Sequence, residues 1–332
     1  MATALVVAGG LAWLAARRRR RHFDLAGRVV LITGGSRGLG LVLAREFARH
    51  GALLALAARD VATLERARDE LVACGARVFA LPCDVRDRAQ VDALVRRVEE
   101  HFGRIDVLVN NAGTIMVGPL EHMTLGDFED AMATNFWAAA YAALAALPGM
   151  RRRREGRIVN IASIGGKVSV PHLLAYSASK FALVGFSEGL LAAVAKDGVV
   201  VTTVCPGLMR TGSPRHALFK GRHRAEYAWF SISDASRLSS ISVERAARRI
   251  VAACIRGEAE VILSPQAKAV SVFHGMFPGL TADILAVVNR LLPGPGGIGT
   301  AAARGRESES VLAPSWLTAL GDEAAERNNE VA

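Results

Sequence analysis

The 332-residue chain is predicted to fold as a doubly wound parallel α/β sheet of about seven strands. Three observations carry that prediction. Seven short apolar runs, many of them β-branched, stand at residues 28–33, 52–58, 76–82, 105–110, 156–162, 199–204 and 259–264, as strands buried on both faces require. Longer helical patterns, such as LGLVLAREFARH and DRAQVDALVRRVEEHFG, alternate with them, and that alternation wraps a parallel sheet in helices. A hydrophobic content of 51% over this length supplies a full core.

Before the first strand, residues 1–21 read MATALVVAGGLAWLAARRRRR, sixteen uncharged residues followed by five arginines. A secretory signal carries its positive charge ahead of the apolar run, so this order predicts an uncleaved anchor. Sixteen helical residues at ~1.5 Å each reach about 24 Å against a hydrocarbon core of about 30 Å, a gap that thinning and arginine snorkelling close. Arginines stay on the cytoplasmic side, which predicts a membrane-anchored chain with its globular part in the cytoplasm. The net charge of +10 comes from 41 basic against 31 acidic residues, and Arg17 to Arg21 with Arg151 to Arg154 supply nine of the positive charges. No basic stripe interleaved with aromatics remains elsewhere, which argues against nucleic acid as a partner. Cys74, Cys83, Cys205 and Cys254 are scattered without a paired motif or histidines at ligand spacing, so buried thiols and no metal site are expected.

The first strand runs directly into TGGSRGLG, residues 33–40. Gly34, Gly38 and Gly40 allow a tight turn and close approach to a diphosphate, received by the free N–H groups of the following helix. Ser36, Arg37 and Leu39 share that turn. At the end of the second strand Ala58 stands where an acid would bind a ribose 2′-hydroxyl, and Arg59 follows it. Arg59 and Arg37 together favour a 2′-phosphate, hence NADP(H). NNAG, residues 110–113, ends the fourth strand at the carboxyl edge where such sheets place ligands, and Ser163 follows the fifth at the same edge. Then comes AYSASK, residues 175–180. Tyr176 and Lys180 lie four apart, on one helical face. A nearby ammonium favours the phenolate, so Lys180 is expected to lower the tyrosine's ordinary value near ~10 and make it a usable acid or base. His172, four residues before, reads as a solvated loop histidine, with lining of a pocket beside Tyr176 as the alternative.

Each of these signals is weak alone, but their order resembles the short-chain dehydrogenase/reductase family, a Rossmann-fold group, over residues 24–264. The resemblance implies that Tyr176 exchanges a proton with a carbonyl or alcohol oxygen and that Ser163 orients that oxygen. Lys180 would hold the nicotinamide ribose, and Asn135 would be a fourth catalytic residue, anchoring a water in the proton relay. It further implies cofactor contacts from Asp84 and Val85, from Asn111, Ala112 and Gly113, and from Pro206, Gly207 and Thr211. The activity implied is hydride transfer between NADP(H) and a ketone, aldehyde or alcohol, in a self-associating enzyme. A non-catalytic NADP-binding sensor or scaffold is the alternative, against which the intact Ser163, Tyr176 and Lys180 argue.

The region 212–241 fills the family's variable substrate loop, where Tyr227, Trp229 and Phe230 would line a pocket for a hydrophobic molecule. After Pro265 the composition changes. Residues 265–293 carry apolar faces interrupted at Pro278-Gly279, with Thr281 placed as a helix cap, and predict a bent amphipathic pair for packing or for the membrane surface. Residues 294–332 read as a linker and a mostly disordered tail, with one short helix expected around Trp316.

Overall fold

The computed structural model describes residues 22–236, 240–315 and 318–331; the expected anchor, residues 1–21, lies outside them. In chain order the principal elements alternate. They are β1 (Val29–Thr33), α1 (Gly38–Arg49), β2 (Leu53–Ala58), α2 (Val61–Ala73), β3 (Val78–Pro82), α3 (Arg88–Phe102) and β4 (Val107–Asn110). Then follow α4 (Leu125–Met132), α5 (Ala138–Arg153), β5 (Gly156–Ile161), α6 (Leu174–Val194), β6 (Val199–Cys205), α7 (His223–Ala235), α8 (Val243–Arg256) and β7 (Glu260–Ile262). The chain continues through α9 (Pro265–Met276), α10 (Pro278–Leu291) and α11 (Ala319–Arg327).

The seven strands form one parallel sheet in the order β7-β6-β5-β4-β1-β2-β3, as the alternation predicts. The order reverses direction between β1 and β4, and a crevice opens there at the carboxyl edge. All of β1 and all of β6 are buried, which is why neither shows alternating polarity. One face is covered by α1, α2 and α8 through residues such as Leu43, Phe47, Leu64 and Ile250; the other is covered by α3, α5 and α6 through Val91, Leu94, Ala142 and Leu190. Local signals set the helix ends. Asp60 accepts the Thr63 N–H and caps α2, Asp87 accepts those of Ala89 and Gln90 at the start of α3, and Gly103 in the left-handed region stops α3.

The structure departs from the sequence reading in several places. The variable region is not all loop, because the 13-residue α7 runs through it. Cys74 is exposed while the other three cysteines are buried. Thr281 does not cap α10, which begins at Pro278; its hydroxyl donates back to the Phe277 carbonyl at 2.9 Å, inside the first turn. The largest difference is residues 294–331, expected as linker and disordered tail. Ala303–Arg304 pairs antiparallel with Leu218–Phe219, and Gly221 exchanges backbone hydrogen bonds with Ile298 and Gly299. Asn328 and Glu330 are buried. Polar composition argues for disorder only when no partner groups wait for the chain, and here they wait on α1, α2 and the 206–221 region. The helix expected around Trp316 falls partly outside the described residues, and α11 starts three residues later.

Candidate active site

Thr33 fastens the glycine turn to the fourth strand. Its hydroxyl accepts the N–H groups of Asn111 and Ala112 at 3.1 and 3.2 Å, while the Asn111 amide donates to the carbonyls of Thr33 and Gly34 at 3.1 and 3.0 Å. Gly34 and Gly38 have positive φ, and a Cβ on Gly40 would stand 2.0 Å from the Gly34 oxygen. The turn is therefore built for glycine at all three expected positions, with the N-terminus of α1 aimed across it.

A second chain of buried amides ties the sheet to α6. Asn110 donates to Asn160 at 2.8 Å, Asn160 donates to Ser187 at 2.8 Å, and the Ser187 hydroxyl donates to the Leu183 carbonyl. Asn160 and Ser187 escaped the sequence reading, although an asparagine inside the apolar run RIVNIA was the available signal. This network fixes α6, which presents Tyr176 and Lys180 to the sheet edge. Ser163 accepts the Gly165 N–H at 3.0 Å and lines the same cavity as Tyr176. Lys180 donates to the Ile161 carbonyl at 2.9 Å and lies 5.8 Å from the Tyr176 ring centroid.

Electrostatics at this trio differ from expectation. Burial pushes Tyr176 up to about 12, outweighing the opposing influence of Ser163, with Asp234 and Cys205 adding to the rise once they ionise at high pH. Burial pulls Lys180 down to about 8. The anticipated lowering of the phenol by the ammonium is absent, because desolvation dominates and the ammonium rests on a carbonyl. Asn135 sits in a π-helical turn, Ala133–Trp137, ahead of α5. Its amide accepts the Thr114 N–H at 2.9 Å and donates to Ser179 at 2.9 Å, bracing the loop after β4 against the turn that bears Tyr176.

The glycine turn, Asn111, Asn135, Ser163, Tyr176 and Lys180 open into one cavity of about 930 Å³ running along the carboxyl edge. It is bounded at one end by Arg37, Arg59, Asp84 and Val85, and it passes Asn111, Ala112, Gly113, Pro206, Gly207 and Thr211 before reaching Ser163, Tyr176 and Lys180. Arg37 is half-buried at the N-cap of α1, its pKa lowered by burial against the pull of Glu330 and Asp60, while Arg59 is exposed at the rim. Asp84 is held by Arg86 at 2.7 Å, which lowers its pKa. The glycine cradle, the helix N-terminus and the cationic end suit a dinucleotide phosphate chain.

Beyond Tyr176 the walls turn apolar, with Ile115, Val170, Leu173, Trp229 and Phe230 facing the cavity. Tyr227 does not line the cavity; it packs against Phe219, ring centroids 5.4 Å apart, inside the apolar cluster that backs those walls. His172 is neither solvated nor pocket-lining. It is buried with φ +62° and pairs through Nδ1 with the fully buried Glu226 at 2.8 Å, which also accepts the Trp229 indole N–H at 2.7 Å. That pair anchors α7 and the Trp229 ring, a role sequence spacing could not show because 54 residues separate the partners. Asp234 and Glu330 also reach the cavity and were missed.

The family model for short chain dehydrogenases matches residues 28–218. The chain belongs to the short-chain dehydrogenase family. It is 38% identical over 254 residues to a dehydrogenase/reductase SDR family protein 7-like of Anopheles gambiae, spanning 75% of this chain and 78% of that one. It is also 38% identical over 183 residues to the ketoacyl reductase HetN of a Nostoc species, covering 55% of this chain and 64% of that protein. Among solved structures, a short-chain dehydrogenase/reductase from Burkholderia phymatum in complex with NAD superposes with TM-score 0.72 at 28% identity, covering 78% of this chain and 96% of that chain. A metagenomic short-chain oxidoreductase in complex with NADP gives TM-score 0.60 at 30% identity, covering 73% and 99%. As a short-chain dehydrogenase the chain is an oxidoreductase that uses a nicotinamide cofactor, and enzymes of this family act on small carbonyl or alcohol substrates.

Proposed function

We infer that this short-chain dehydrogenase is an NADP(H)-dependent oxidoreductase interconverting a ketone or aldehyde and an alcohol on a hydrophobic small molecule. The observation that carries the reading is the convergence of Ser163, Tyr176 and Lys180 at the junction of a cationic, glycine-cradled half-cavity and an apolar one. Bound nicotinamide would supply or accept the hydride at the substrate carbon. Ser163 holds the substrate oxygen by its hydroxyl, and Tyr176 delivers a proton to that oxygen as it becomes alkoxide. A tyrosine raised to about 12 stays protonated through neutral pH, which suits proton donation and hence carbonyl reduction. Lys180, pulled to about 8, remains largely cationic at pH 7 and places positive charge beside the phenol. Asn135 acts as a positioning residue through Thr114 and Ser179. At the other end, Arg37 and Arg59 receive the 2′-phosphate that distinguishes NADP from NAD. The apolar lining around Trp229 and Phe230 selects a hydrophobic substrate, and assembly of the chain with further copies of itself is part of the same reading.

Membrane association completes the proposal. Residues 1–21 supply the anchor, with the catalytic domain in the cytoplasm. The α9–α10 pair adds a second contact: its helices break at Phe277, and Val272, Met276, Leu280, Ile284, Val287 and Leu291 are all exposed. An apolar surface of that extent suits a lipid interface. Among the described residues one helical stretch, Leu174–Asp197, is long and apolar enough to span a bilayer. It carries Tyr176 and Lys180 and packs on the sheet, so its apolarity belongs to the core.

The test is Tyr176→Phe assayed with NADPH against a panel of aliphatic and aromatic aldehydes and ketones. Loss of one proton donor with little change of volume should cut turnover by about 10²–10⁴-fold and leave NADPH affinity within about twofold. Retained turnover would remove Tyr176 from the acid/base role.

A further inference from the structure

The residues that follow α11 run back into the cofactor half of the cavity. Asn328 is fully buried, and its carbonyl accepts the Gly38 N–H at 2.9 Å. That N–H is the first of α1, one of the free donors by which a helix N-terminus receives a phosphate. The Arg45 guanidinium holds the Asn328 side chain at 2.7 Å and the Arg327 carbonyl at 2.9 Å. Asn329, in the left-handed conformation with φ +59°, donates to the carbonyls of Ser36 at 2.8 Å and Thr63 at 2.9 Å and accepts from Arg66 at 2.9 Å. It thereby bridges the glycine turn and α2. Glu330 is 6% exposed, and its carboxylate accepts the Gly212 N–H at 2.6 Å. The other carboxylate oxygen lies 3.0 Å from the point where a Cβ on Gly38 would stand. On the same residue, the main-chain oxygen is 3.1 Å from His216 Nε2.

An acidic side chain thus lies in the cradle that glycine turns keep open for a diphosphate, between the turn after β1 and the segment after β6. Arg37, the half-buried cation expected at the 2′-phosphate, faces the same carboxylate. Helix dipole, free N–H and arginine are the features that bind an anionic cofactor; here the Asn328 carbonyl takes the helix N–H, and the Glu330 carboxyl, raised by burial to about 7, faces the arginine. Two anions held at one set of donors in a poorly solvated cleft repel strongly.

We propose that residues 328–331 are an autoinhibitory strap whose Glu330 carboxylate stands in for a cofactor phosphate and which must leave the glycine turn before the dinucleotide seats. This inference rests on the cofactor reading given above. The strap makes apparent NADP(H) affinity a measure of how often the segment is open: a closed population of about 90% weakens it about tenfold. It also gives any event that draws the segment outward a direct route to activation.

The experiment compares the full chain, a chain ending at Arg327 and Glu330→Gln, each titrated with NADPH by calorimetry. The chain ending at Arg327 keeps all of α11, and far-ultraviolet dichroism with melting temperature checks its fold. Glu330→Gln preserves shape and removes only charge, so it serves where truncation perturbs packing. The expected result is a Kd about tenfold tighter for the truncated chain and a smaller gain for Glu330→Gln. Hydrogen exchange in the full chain should also show faster exchange of residues 328–331 when NADP+ is saturating. Unchanged or weaker affinity in both variants, with the strap equally or better protected by NADP+, would overturn the proposal and leave the cofactor reading standing, with the strap as a fixed wall of the site. Absence of NADP(H) binding in all three proteins would overturn both.

Discussion

Gly40→Ala tests the glycine cradle most directly, because the structure fixes its cost. The new methyl would meet the Gly34 carbonyl oxygen at 2.0 Å and the Asn111 amide nitrogen at 2.6 Å, whereas ordinary contact begins at 3.4 Å. Relief requires the turn to open by more than an ångström, and the obstacle is backbone, so no flexible side chain can yield instead. Opening breaks the two hydrogen bonds from Asn111 to Thr33 and Gly34. Leaving those half-buried groups unpaired costs about 1–3 kcal/mol each, giving roughly 2–6 kcal/mol in total. For a domain of this size, each kcal/mol moves the melting temperature by about 2–4 °C, so the variant should melt roughly 4–24 °C lower. The same shift displaces the α1 N-terminus from its target and should abolish measurable NADPH binding. Gly126→Ala is the control: its methyl would meet only the Thr124 hydroxyl at 3.7 Å, near the exposed start of α4, and should raise stability by about 0.5–1 kcal/mol. The measurements are differential scanning calorimetry and NADPH titration. A Gly40→Ala protein melting with its parent and binding NADPH equally well would refute the cradle argument.

Three further outcomes follow from the site and its surroundings. Arg59→Asp replaces an attractive rim charge by a repulsive one and should shift the NADP/NAD affinity ratio toward NAD by about tenfold or more, read from paired titrations; an unmoved ratio would show Arg59 to be only a surface residue. Asp234 is buried and raised to about 8, so the folded state holds its proton where the unfolded chain, near ~3.9, has released it. Stability from this group is therefore full below the unfolded value and is lost as pH rises through about 8. Between pH 6 and 9 that loss is about 2–3 kcal/mol, and Asp234→Asn should flatten the corresponding fall in melting temperature; an equally steep fall in the variant would place the titration elsewhere. Finally, a chain lacking residues 1–21 should be recovered in the soluble fraction, bind NADPH and still bind phosphatidylcholine vesicles through α9–α10. Joint substitution of Ile284, Val287 and Leu291 by Asp should abolish vesicle binding, and persistence of that binding would remove the pair from the membrane role.

The seven strands, their parallel order and the position of the glycine turn were legible in the sequence, because continuous apolar runs and helical periodicity are local consequences of burial on two faces. The family motifs extended that legibility to the places of the asparagine run and Ser163 at strand ends and of Tyr176 and Lys180 on the helix that follows, since chain order fixes these positions in a doubly wound sheet. Local pattern carries no information about which distant groups meet, and the remainder was decided there. His172 became a buried partner of Glu226 because α7 packs across the loop that holds it. Tyr176 was pushed upward because the cavity desolvates it more than any neighbour compensates. Residues 328–331 have a composition that cannot bury itself, yet they are ordered by donors and acceptors on α1, α2 and the segment after β6, nearly three hundred residues away for Ser36. Hydrophobic pattern fixes which faces turn inward; the pairing of polar groups and the resulting charge states exist only once those faces have closed.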